Sequence, residues 1–247
     1  MIVLPSPRPV GSPKPPSTLL TGLIAYYKLG EASGTRVDST ANANNLTAVN
    51  NPGNSTGPNG NNCLATVSAS SQEVKAANSS GLKWPGGDFT IARWAKYNTL
   101  QSFPPTIVTV SAIDATTTFG YFYIGAREGN DFIFAVGNDV ASAESQAIFS
   151  ALPVTGQWHL LIGVYDSATK KATIYRDNVT GGTGSALPSN PTTANVNFSI
   201  GGGNSIGYFL NGYVAECGYW SKKLSATERT TLYGAGTPPT YPWTGLP

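Results

Sequence analysis

Gln157-Trp158-His159-Leu160-Leu161-Ile162-Gly163-Val164-Tyr165 is the stretch that decides how this chain folds. Trp158, Leu160, Ile162 and Val164 recur at every second position. That is the period at which side chains of an extended strand return to the same side. A helix would space them three and four apart, so the run reads as a β-strand with those four residues lining one face. Comparable runs occupy 23–29, 65–75, 88–97, 106–113, 119–126, 132–136, 172–176, 196–200 and 208–220. Segments rich in Asn, Gly and Pro separate them, as in 50–62 (NNPGNSTGPNGNN), because turns need residues that accept left-handed or fixed φ. Many short strands with almost no helical periodicity predict an all-β sandwich or barrel. One helix is signalled. Ser225-Ala226-Thr227-Glu228 fits a capping box, and Arg229 to Tyr233 lead to Gly234, a suitable C-terminal stop.

Composition narrows the function classes. The chain has 247 residues, of which 40% are hydrophobic and only 11% charged, against roughly 25% charged in ordinary globular domains. Its solubility must therefore come from Asn, Ser, Thr and Gly, a surface that suits exported proteins and virus particles. The net charge is +2. Arg8 and Lys14 supply it, and the remaining thirteen bases balance thirteen acids. No basic stripe of the kind a duplex-binding protein needs is present, so nucleic-acid binding is not expected. No apolar stretch is long enough to predict a membrane span. Cys63 and Cys217 are the only cysteines. Cys217 reads as a small buried hydrophobe in a strand, and two free thiols are expected.

Three regions follow. Residues 1–17 (MIVLPSPRPVGSPKPPS) hold six prolines, which lack the N–H and fix φ, so an extended polyproline arm is expected. They lack the apolar core and cleavage site of a signal peptide. Pro5, Pro7, Arg8, Pro9 and Lys14 are candidate partner-docking residues. Residues 18–236 form the body. Residues 237–247, with four prolines, read as a second tail in which Trp243 is a candidate anchor to a partner.

Several motifs carry a family resemblance. Gly22-Leu23-Ile24-Ala25-Tyr26-Tyr27-Lys28-Leu29, followed by Glu31, Ser33, Gly34 and Val37-Asp38-Ser39, resembles the opening "GLVAYWPLDE…SG…V.DSSGNGN" of laminin-G-like, concanavalin A-type domains. Phe89 to Lys96 (FTIARWAK) resembles "FTISFWVK". Gln157 to Asp166 with Lys171 to Val179 resembles "WHHVAVTYDG…LYVDGV". Phe198 to Gly201, Phe209 to Glu216, Trp220, Leu224, Ser225 and Glu228 resemble "IG…FNGYIDEVRIYNRALSAEEI". The resemblance runs in order over about residues 22–236. It implies a two-sheet antiparallel jelly-roll of the lectin/glucanase type, whose members mostly bind rather than catalyse.

Candidate sites follow from both readings. The resemblance implies a calcium site joining the early loop to the late strand. Here the loop reads Asp38-Ser39-Thr40-Ala41-Asn42-Ala43-Asn44-Asn45, with alanines for both glycines, and the late pair reads Ala215-Glu216. Asp38 and Glu216 are the remaining candidate Ca2+ ligands. The alternative is that Asp38 caps a turn and Glu216 pairs with a base or a backbone N–H. No carboxylate cluster spaced for glycoside hydrolysis occurs, and His159, the sole histidine, reads as a strand residue, so no catalytic residue is assigned. Trp84 and Phe103, in loops, are candidate glycan-stacking residues. Trp94, Trp158 and Trp220 match family core positions.

The expected function is a non-catalytic binding or assembly module. The first reading is a virion-associated protein of a bacteriophage head or tail, with capsid or tail proteins and other copies of itself as partners. The alternative is an exported bacterial carbohydrate-binding or adhesion domain, extracellular or on the cell surface, with a cell-surface glycan as partner. A glycoside hydrolase is the least favoured.

Overall fold

The 157–165 stretch is a strand whose two faces are both covered. In the computed structural model, residues 17–100, 106–114, 120–127, 131–138, 143–151, 153–191, 195–203 and 207–243 are described. Pro5, Pro7, Arg8, Pro9, Lys14 and Phe103 lie outside them. The strands are β1 (Leu23–Tyr27), β2 (Thr47–Val49), β3 (Gly53–Thr56), β4 (Asn62–Thr66), β5 (Glu73–Ser79), β6 (Phe89–Tyr97), β7 (Thr106–Asp114), β8 (Gly120–Arg127), β9 (Asp131–Asn138), β10 (Ala143–Phe149), β11 (Trp158–Asp166), β12 (Lys171–Arg176), β13 (Val179–Thr183), β14 (Val196–Ile200) and β15 (Gly212–Trp220). One sheet runs β13-β12-β11-β6-β15-β4-β3, with β1 joined to β15; the other runs β10-β9-β8-β7-β14-β5-β2. All pairings are antiparallel. Two such sheets packed face to face make the expected sandwich.

The period-2 reading of β11 holds, with an addition. Leu160, Ile162 and Val164 do share a face, but it is the outer one, in a second apolar layer. Leu161 and Tyr165 face the inter-sheet core. Gly163 is needed between them, because a Cβ there would lie 2.4 Å from the Phe134 ring. Strand β6 is built the same way. Phe89, Ile91, Ala95 and Tyr97 point between the sheets, and Ala92 and Trp94 point outward.

The second layer is closed by residues 19–20, residues 241–243 and a helix. Helix α1 (Ala226–Tyr233) starts at the capping box read from the sequence. Ser225 Oγ accepts from the Glu228 amide at 3.2 Å, and Glu228 Oε2 accepts from the Ser225 amide at 2.8 Å. Gly234 ends it with φ 53°. At the N-terminal side Leu19 is fully buried, and its carbonyl accepts from Trp220 Nε1 at 2.7 Å. The C-terminal segment differs from the expected tail. Trp243 is 1% exposed, edge-on to Tyr26 at 4.8 Å and stacked on Trp220 at 6.1 Å. Tyr241 stacks on Tyr26 at 4.6 Å. Trp243 is an anchor, but to its own sandwich, because aromatic area is worth more in a packed layer than in water.

Strand β15 carries a bulge that shapes the outer face. Its register against β6 shifts between Ala215 and Gly218, and Glu216 takes φ 49°. An extra residue at a bulge puts two neighbours on one side, so Ala215 and Glu216 both face outward while Val214 and Cys217 face the core. Cys63, on β4, lies in the outer layer and Cys217 in the inter-sheet core. Both thiols are free, and the sheet itself stands between them.

Candidate functional site

The loop that carries Asp38 is held by that one carboxylate. Asp38 Oδ1 accepts from the amides of Tyr26 (3.0 Å) and Thr40 (2.9 Å), and Oδ2 from Thr40 Oγ1 (2.9 Å) and the Asn44 amide (3.0 Å). Both oxygens are thus met by donors, which is the turn-closing role. Glu216 lies at the far end of Tyr26. Its Oε2 accepts from the Tyr26 hydroxyl and its Oε1 from Asn59 Nδ2 at 2.9 Å. Burial raises the Glu216 carboxyl above its ordinary value, against the pull of the Tyr26 and Asn59 hydrogen bonds. The two candidate cation ligands are therefore bound to opposite ends of one tyrosine. A hard cation needs six or more oxygens turned toward it. Among the described residues no group of three or more potential metal ligands occurs, and this pair does not fit Ca2+.

The same loop builds one wall of a groove. Asn42 and Asn44 both donate from Nδ2 to the Ile24 carbonyl, at 2.8 and 3.3 Å, which fixes their amides along β1. A depression of about 390 Å³ lies there, between Leu23, Ile24, Asn42, Asn44, Gly81 and Ser221. It runs on, across Ile24, Gly81 and Ser221, into one of about 350 Å³ lined also by Ser80, Lys83, Trp84, Pro85 and Gly86. Gly81 joins the walls, because a Cβ at that position would lie 2.1 Å from Asn44 Oδ1. Trp84 is held rigidly. Its Nε1 donates to the Gly87 carbonyl at 2.9 Å, and its ring leans on the inter-sheet core. The groove combines an indole, amides, hydroxyls and one ammonium, and no carboxylate lines it.

The other singled-out residues fall elsewhere. His159 is 7% exposed, with Nδ1 2.7 Å from Asp177 Oδ2 and its ring edge-on to Phe132 at 5.4 Å. Its other nitrogen is buried without a partner, so no nucleophile is attached to it. Trp94 and Trp220 are core, as expected. Trp158 is only half-buried and belongs to a row the sequence did not reveal. Trp158, Lys96 and Tyr213 are direct cross-strand partners on β11, β6 and β15. Lys96 Nζ lies 5.4 Å from the Trp158 ring centre and 4.4 Å from that of Tyr213. Their spacing in sequence gives no hint of this. Only strand register does.

The profile of the concanavalin A-like lectin/glucanases superfamily, in its laminin G form, matches residues 68–228. The chain belongs to that superfamily. The match begins after the Asp38 loop and includes the Trp84 turn. No curated protein matches the superfamily member described here in sequence. Among solved structures, the fourth domain of a GH43 extracellular arabinanase from Geobacillus stearothermophilus, in complex with arabinotriose, is 17% identical. The alignment covers 85% of this chain and 98% of that domain, with a TM-score of 0.57. The binding domain of Paraclostridial Mosquitocidal Protein 1 is 13% identical over 87% of this chain and 52% of its own, with a TM-score of 0.66. The receptor-binding domain of botulinum neurotoxin mosaic serotype C/D is 11% identical over 87% and 51%, with a TM-score of 0.68. The chain therefore spans about half the length of the toxin domains it matches. At these identities the shared property is the lectin-like fold.

Proposed function

We propose that this superfamily member is a non-catalytic carbohydrate-binding module, and that the groove between Asn42 and Trp84 takes a neutral oligosaccharide. The observation that carries the reading is the groove's make-up. A rigid indole offers a flat face to a sugar ring. The amides of Asn42 and Asn44 and the hydroxyls of Ser80 and Ser221 stand where sugar hydroxyls would need partners. No carboxylate lines the groove, so the paired carboxylates of glycoside hydrolysis have no counterpart there. Support comes from the arabinanase domain, which has this fold over nearly its whole length and is described in complex with arabinotriose.

The setting of the module is a separate matter. The proline-rich arm that pointed to a virus particle lies outside the described residues, and nothing in the folded body favours a particle over a cell surface. The binding test is a titration of isotope-labelled protein with a panel of neutral oligosaccharides, arabinotriose included, followed by amide chemical shifts. Shifts concentrated at 42–44 and 80–87 are expected. A panel that moves no amide would refute the reading.

A further inference from the structure

Arg93 is the one inward-facing residue of β6 that does not belong in an apolar layer. Its inner-face neighbours Ile91 and Ala95 are core, and Arg93 itself is 0% exposed. A guanidinium has five N–H donors and no acceptor. Only Nε finds a protein partner, the Thr109 hydroxyl, which passes its own hydrogen to the Ile124 carbonyl at 2.8 Å. Both terminal nitrogens, Nη1 and Nη2, are buried without an acceptor. The Tyr97 hydroxyl is buried beside Thr109 and makes no hydrogen bond of good geometry.

No charge among the described residues answers this cation. Among them Arg93 takes part in no ion pair. The titratable groups near enough to act on it are Tyr97 and Cys217. Burial keeps both neutral, lifting the Tyr97 phenol and pushing the Cys217 thiol up to about 12. Burial also draws the Arg93 guanidinium down to about 10, which leaves it charged at neutral pH. An uncompensated charge is what protein interiors avoid. Packing does not call for it, since the stretch this strand resembles, "FTISFWVK", has Phe at the same place. Water would satisfy the N–H groups but would leave the charge unbalanced.

We propose that the interior of the sandwich binds a small monovalent inorganic anion, of the size of chloride, on Nη1 and Nη2 of Arg93 beside Thr109 and Tyr97. The anion accepts from the two terminal nitrogens and from the Tyr97 hydroxyl, and its charge closes the core. The site is independent of the surface groove, so either can fail without the other.

The test is thermal unfolding of the full chain in chloride and in gluconate at equal ionic strength. Chloride should raise the melting temperature by about 4 °C for each tenfold increase above its dissociation constant. Arg93→Met, which keeps the length of the side chain without the charge, should lose that dependence. Equal melting temperatures in both salts, or a chloride effect that survives in Arg93→Met, would overturn the proposal. If Arg93→Met does not fold, crystals of the unaltered protein grown in bromide decide the matter. An anomalous peak within hydrogen-bonding distance of Nη1 and Nη2 supports the site. Featureless density or a bare water network there refutes it.

Discussion

Ala43 sits at φ 54°, in the left-handed region that an L side chain enters at a cost and glycine enters freely. The loop it belongs to, Asp38 to Asn45, resembles a family loop with glycines at two positions, one of which is Ala43. Ala43→Gly should therefore stabilise the chain by about 1 kcal/mol, read as a rise of about 3 °C in melting temperature. No rise would mean that the loop does not hold this conformation in solution. What the sequence revealed about single residues was uneven. The loop position of Trp84 is legible, because an aromatic between Lys83 and Pro85-Gly86-Gly87 reads as a loop residue, and it lies between β5 and β6. The sequence pairs Asp38 with Glu216 as candidate cation ligands but does not show what joins them. Nothing in the sequence places Tyr26 between them, with its amide on one carboxylate and its hydroxyl on the other. Trp158 matches a core position in the motif it resembles, yet it is only half-buried. It lies at the strand end, at the margin of the second layer.

Strands and their covers account for the larger surprises. Alternation in β11 located the strand but could not say that both of its faces would be buried, since that depends on helix α1 and residues 19–20 and 241–243 folding over it. Residues 237–247 read as a tail because they carry four prolines. Prolines do not exclude it from packing, and Trp243 docks against Tyr26 and Trp220. Trp243→Ala should cost about 3 kcal/mol, a fall of about 6–12 °C in the melting temperature of the isolated chain. An unchanged melting temperature would return Trp243 to a partner. The turn before α1 is pinned in another way. Lys223 Nζ lies 2.6 Å from Asp166 Oδ2 at the end of β11 and 3.4 Å from Asp88. The hydrogen bond from Lys223 holds the Asp166 carboxyl at about 2, below its ordinary value. A depressed carboxyl contributes stability that is present above its unfolded value, near 4, and is lost as pH falls toward 2. Lys223→Met should flatten the acid limb of the stability curve between pH 4 and 2. An acid limb identical to that of the parent would show that this pin contributes nothing.

The architecture as a whole was the most legible feature. Strand period, turn composition and the ordered motifs each point to a two-sheet jelly-roll, and agreement across levels is what lets a sequence specify one fold. The groove was far less legible. Its walls come from residues 22–24, 42–44, 80–86 and 221, which only the closed sandwich brings together. Binding is the central proposal, placed in the groove rather than on the half-buried row of Trp158, Lys96 and Tyr213. The most direct test is a glycan array probed with three proteins: the full chain, Trp84→Ala, and the double variant Trp158→Ala with Tyr213→Ala. Removing a stacking indole is worth about tenfold in affinity. The full chain and the double variant should therefore bind the same oligosaccharides, with Trp84→Ala weaker by about that factor. Silence from the full chain, or binding that survives in Trp84→Ala and vanishes in the double variant, would contradict it.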